Sequence, residues 1–164
     1  MTESDEAPHQ MRGHRVPEMS LDNINFIAMR ICKIFGFSKR SFSKQQIGLT
    51  LNQLEGRAGV DLDIIDNDDW LDCTKATVDP RINMIYVPQK LHDDIVRAKP
   101  EAIRVLLHEL GHIFLLHRPL LHSSDTNPLI TEDSEWQADA FADALIEHLK
   151  LPTKEEAQME LKLF

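Results

Sequence analysis

PEAIRVLLHELGHIFLLHR, residues 100–118, is the stretch from which the fold is read. Its apolar residues Ile103, Val105, Leu106, Leu107, Leu110, Ile113 and Phe114 predict a largely buried helix running through Glu101 to about His117. Pro100 suits the first turn, where its missing N–H is harmless, and Pro119 ends the run. Within it, His108 and His112 stand four positions apart. They therefore share a helix face, and both imidazoles can meet one metal ion. Zinc takes imidazole nitrogens at about 2.0–2.1 Å in a tetrahedral arrangement. Glu109, one residue on from His108, flanks such an ion and can take a proton from a water that zinc activates, the role of the glutamate in HExxH. The competing reading is that two histidines merely cover a helix face. That reading leaves two imidazoles buried without partners, a cost that a metal removes. With 8 His in 164 residues the pattern arises by chance roughly 0.03 times per chain.

A catalytic zinc needs a third protein ligand and an open position. The extended pattern HExxHxxGxxH would require glycine at Leu115 and histidine at Arg118, so the class that uses it is excluded. A carboxylate on the next helix is the alternative, and Glu135-Trp136-Gln137-Ala138-Asp139 offers one 23 residues after His112. Asp139 lies on the same helix face as Glu135, placed to accept a hydrogen bond from a ligand imidazole and fix its tautomer. Alone, the two acids would read as a solvated face of an acidic protein. Beside HExxH, and with Ala138, Phe141, Ala142 and Leu145 forming an apolar stripe, Glu135 is the expected third ligand. Thr131 or Asp133 caps this helix, which runs to about Leu149 before Pro152 breaks it.

Outward from these helices the chain divides into a flexible arm over residues 1–19, a single domain over 20–152 and a short terminal helix or tail over 153–164. Ser20 caps a helix whose apolar positions Leu21, Ile24, Ile27, Ala28, Ile31 and Ile34 recur at three- and four-residue spacing, and Gly36 stops it. A second helix follows Ser43, with Ile47, Leu51, Leu54 and Ala58 on one side. Val60, Leu62 and Ile64 alternate with aspartates as a half-buried strand does. Cys73–Val78 and Met84–Val87 are two more strands, joined by a turn at residues 79–83. The expected fold is α+β, with a small, mostly antiparallel three-stranded sheet packed on helices. Met84–Val87 is expected to offer an edge to an extended peptide.

HELGH followed by EWQADAFADALI resembles the ImmA/IrrE family of small metallopeptidases, over roughly residues 80–147. The resemblance implies a minimal gluzincin-like zinc site with His108, His112 and Glu135 as ligands and Glu109 as general base. It also implies a cytoplasmic endopeptidase whose protein substrate is a helix-turn-helix repressor or antitoxin of phage, mobile-element or stress genes. The chain departs from the family pattern in placing four residues, Ile113–Leu116, before His117, and in lacking a proline after Leu145-Ile146. By residue type, Tyr86, His117 and His122 are the candidates to stabilise an oxyanion or touch substrate. His117 reads more naturally as a cation at a helix end.

Eighteen Lys+Arg against 27 Asp+Glu give a formal charge of −9, which argues against binding nucleic acid by bulk charge. The charge is uneven. Residues 24–54 hold Arg30, Lys33, Lys39, Arg40 and Lys44 and no acid, a solvated face or a docking surface for an acidic partner. The aspartates of residues 61–72 lack the glycine and closing glutamate of an EF-hand. Cys32 and Cys73 fit neither a CxxC pair nor a disulfide scaffold. No apolar run is long enough for a signal core or a membrane span, so a cytoplasmic location is expected. The rival to a peptidase is a zinc-stabilised module that inactivates a regulator by docking without cleaving it.

Overall fold

The computed structural model describes residues 9–71, 74–118 and 127–163. Helix α1 spans Leu21–Phe35, α2 Ile47–Ala58, α3 Gln89–Val96, α4 Pro100–Phe114, α5 Ser134–Leu149 and α6 Lys154–Leu163. Strands β1 (Asp61–Ile65), β2 (Thr77–Asp79) and β3 (Met84–Pro88) make one sheet. The fold is α+β. None of the described helices is long and apolar enough to cross a membrane.

Local chemistry accounts for several helix ends. The Ser20 hydroxyl accepts the Asn23 N–H at 3.2 Å at the start of α1, and Gly36 closes that helix in the left-handed conformation at φ 66°. Pro100 occupies the first turn of α4. Of the two candidate caps for α5, Asp133 is the one used, accepting from Glu135 N–H at 3.0 Å.

The sheet corrects the expectation of mostly antiparallel strands. Its order is β1-β3-β2, with β3 parallel to β1 and antiparallel to β2. The turn at residues 80–83 folds β3 back along β2, while β1 pairs with the far edge of β3. The strand with the most buried alternate residues, Ile85 and Val87, thus takes the centre. β3 therefore has no free edge, and Met84–Val87 does not offer the edge expected of it. Leu62, Ile85 and Val78 stand in register on the core side; Asp63, Tyr86 and Thr77 form the opposite row.

α4 ends three residues earlier than expected. Leu116 N–H donates to Ile113 C=O at 3.1 Å, and His117 N–H reaches back to His112 C=O at 3.0 Å. This is the Schellman arrangement, normally built on glycine. Here Leu116 adopts φ 55°, a conformation that costs an L-residue about 1–2 kcal/mol. The turn swings His117 back beside His112.

The second difference lies before α1. Residues 9–19 do not hang loose but form a strap across the start of α5. Val16 N–H donates to Glu132 C=O at 2.8 Å, Met19 N–H donates to Thr131 C=O at 3.1 Å, and the Val16 side chain is buried. Asp133 anchors the strap. Its buried carboxylate takes Arg12 N–H (2.8 Å) and His9 Nε2 (2.8 Å) on one oxygen, and Gly13 N–H (3.1 Å) beside Glu135 N–H on the other.

Burial opposes the Asp133 charge, but these hydrogen bonds outweigh it and hold the carboxyl below its ordinary value of 3.8. A depressed folded pKa contributes stability that is fully present above the unfolded value and is lost as pH falls through the folded one. Asp133→Asn, whose amide N–H would oppose backbone donors, should therefore destabilise the protein by at least about 1 kcal/mol at neutral pH. Denaturant midpoints should show the gap between wild type and variant narrowing as pH drops below about 4.

Candidate metal centre

Helices α4 and α5 pack backbone to backbone where Gly111 meets Ala138. A Cβ on Gly111 would lie 3.2 Å from Ala138 Cα, from Ala138 O and from Phe141 Cβ, so glycine permits this spacing. The close approach sets the first turn of α5 against the His108–His112 face of α4. His108 Nε2 and His112 Nε2 lie 3.2 Å apart. Glu135 Oε2 is 2.8 Å from His108 Nε2, and Glu135 Oε1 is 3.2 Å from His112 Nε2. Donors about 2.0–2.1 Å from one ion in a tetrahedron sit about 3.3 Å apart, and the two imidazole nitrogens and the Glu135 carboxylate stand close to that spacing. A His/His/Glu group that can hold a metal ion is thus assembled from the three residues the spacing predicted.

The neighbours fix each ligand. His108 Nδ1 meets Asp139 Oδ1 at 2.7 Å, the outer partner expected of Asp139, and Arg12 Nη2 donates to the other oxygen of Asp139 at 3.1 Å. Burial works against charge on His108, but its bonds to Asp139 and Glu135 prevail together and raise its pKa to about 9. His108, and then His112, hold the Glu135 carboxyl well below the usual carboxylate range. Glu109 is buried and has no hydrogen-bond partner among the described residues; desolvation pushes its carboxyl up. A carboxylate with a raised pKa in a site of this kind suits a group that must accept a proton and release it again.

A cleft of about 1050 Å³ opens over the three donors, with His108, Glu109 and Glu135 in its wall, Arg12 and His14 at the strap side and Thr77–Asp79 of β2 opposite. Of the other sequence candidates, His117 is the one among the described residues that lines the cleft. Tyr86 stands in the outward row of the sheet and does not line the cleft. His122 lies outside the described residues, as does Cys73. His117 is not a solvated helix-end cation: it is 7% exposed, and burial lowers its pKa to about 4. Its Nδ1 lies 2.8 Å from His112 Nδ1, and its Nε2 lies 2.7 Å from Gln137 Oε1.

Sequence reasoning missed Arg12, Gly13 and Gln137. Gly13 sits so close over α5 that a Cβ there would come within 2.7 Å of Glu135 Cγ. Nothing local marks Arg12 or Gly13, because their partners lie at the far end of the domain. Gln137 is legible only in its spacing, two residues after a ligand.

Gly111→Ala should drive α5 off α4 by a few tenths of an ångström, because the atoms it meets include backbone that no side-chain rotation can clear. Thermal melts should show a loss of about 1–3 kcal/mol, and titration with zinc should show weaker binding even where the variant stays folded. Gly13→Ala, which displaces the strap and the Ser134 and Glu135 side chains at the start of α5, should weaken zinc binding with a smaller loss of stability. No protein-family model, curated protein or solved structure matches the chain.

Proposed function

We propose that the protein is a zinc-dependent endopeptidase with a minimal gluzincin-like site, acting on a protein partner. The observation that carries this reading is the buried Glu109 carboxylate beside a three-donor His/His/Glu set that opens on a large cleft. A purely structural metal site is closed by four protein ligands and has no use for a base beside it. One divalent ion on His108, His112 and Glu135 would supply Lewis acidity toward a peptide carbonyl and a water.

The chain's own groups do the rest. Glu109 takes a proton from the attacking water and delivers it to the leaving amine nitrogen, a transfer eased by a carboxyl whose pKa burial has raised. Asp139, itself held by Arg12, keeps His108 oriented through Nδ1. β2 carries no strand on its second edge among the described residues and forms one wall of the cleft. It is the strand positioned to pair with an extended peptide.

The substrate class comes from the resemblance to the ImmA/IrrE family: a helix-turn-helix repressor or antitoxin, in the cytoplasm. No direct contact with nucleic acid is part of the reading. The rival, docking without cleavage, is favoured by one feature. Arg30, Lys33, Lys39, Arg40 and Lys44 are all exposed, and Phe26 and Met29 of α1 are solvent-facing beside them, a surface suited to an acidic protein partner. The same face would serve a peptidase as a substrate-holding surface outside the cleft.

Co-expression with the repressor encoded beside the gene separates the two readings. Wild type should cleave it, and Glu109→Gln should keep its zinc while losing cleavage by about 10²–10⁴-fold. A repressor left intact by both proteins, yet bound equally by both, would establish the docking module instead.

A further inference from the structure

Gln137 on α5 is buried and fully engaged. Its Nε2 lies 2.9 Å from Pro17 C=O on the strap and 2.8 Å from Thr131 C=O. Peptide carbonyls only accept, so both amide N–H groups of Gln137 are committed to them and its Oε1 must point the other way. That oxygen faces His117 Nε2 at 2.7 Å, which must then carry a proton. A neutral imidazole with its proton on Nε2 has a bare Nδ1. This bare nitrogen faces His112 Nδ1 at 2.8 Å, which therefore is the donor. With its Nδ1 proton so engaged, His112 turns Nε2 toward His108 and Glu135, where a metal ligand needs a lone pair.

We propose that His117 and Gln137 are positioning residues for the metal centre, forming a proton-ordered relay that runs from the Pro17 and Thr131 carbonyls to His112. The inference rests on the metal reading of the same site and extends it to residues outside the ligand set. The turn described above is its structural cause. In a Schellman ending the residue two past the cap packs on the residue that starts the last turn, commonly through an apolar contact. Here those two residues are His117 and His112, and the contact is a hydrogen bond between rings. The fourth residue inserted between the two histidines, together with the left-handed Leu116, brings the rings together. The strap enters the relay through Pro17, so residues before α1 help to hold a ligand on α4.

Two measurements on the full chain decide it. Long-range ¹H–¹⁵N correlation spectra of the metal-free wild type should place a proton on Nε2 of His117, leave its Nδ1 bare, and place a proton on Nδ1 of His112. A proton on His117 Nδ1 would overturn the relay. Zinc affinity, read by competition with a chromophoric chelator, should fall about 10–100-fold in His117→Phe and comparably in Gln137→Glu, which has no N–H for the two carbonyls. His117→Gln keeps one acceptor and one donor and should bind zinc within about threefold of wild type. Equal affinity in wild type and His117→Phe would also overturn the relay. A wild type that takes up no zinc would refute the metal reading instead, and the tautomers of His112 and His117 would then decide the relay alone.

Discussion

Gly111 and Ala138 let α4 and α5 meet with no side chain between their backbones, and the His/His/Glu group comes together at that separation. A glutamate one turn before Ala138 on α5 reaches the Nε2 atoms of two histidines one turn apart on α4 because the axes are this close. The packing below the contact is apolar and complete: Leu107, Leu110, Phe141, Ala142 and Leu145 are all buried. Such a core resists a shift of either helix, since interiors at crystal-like density relax little. The ligand set is thus held by the core and not by loops.

Around this clamp, each ligand is reached by way of the strap. Arg12 holds Asp139, which holds His108; Gly13 lies against Glu135; Pro17 holds Gln137, which leads through His117 to His112. Asp133 fastens the strap with three hydrogen bonds to a buried carboxylate, and a fourth, from Glu135 N–H, caps the helix that bears Glu135. One aspartate thereby ties the order of residues 9–19 to the start of the ligand helix. No fully solvent-inaccessible side-chain N or O atom among the described residues is left without a hydrogen-bond partner.

What could be read from the sequence is what local chemistry decides. Ser20, Gly36 and Pro100 mark helix ends through caps and first-turn geometry, and the period of four in HELGH and in EWQAD places His108, His112, Glu135 and Asp139 on facing sides. The parallel pairing of β1 with β3 was not legible, because alternation shows which side of a strand is buried and not which neighbour it takes. The end of α4 was misplaced because Leu116 stands where a glycine would have signalled the turn. For the same reason His117 resembled a helix-end cation. The strap was invisible because its residues are polar and aperiodic, and its partners lie at Thr131–Ser134, far along the chain. Tyr86, a candidate by residue type alone, stands on the central strand and does not line the cleft.

The central claim is that two helices clamp a His/His/Glu set around one divalent ion, with an open position facing the cleft. X-ray absorption at the zinc edge, on protein loaded with one equivalent of zinc, tests this directly. The account predicts a first shell of nitrogen and oxygen at about 2.0–2.2 Å, with two imidazoles and no sulfur, reduced to one imidazole in His112→Ala. Sulfur at about 2.3 Å, which would assign the ion to Cys32 or Cys73, or a spectrum unchanged by His112→Ala, would contradict it.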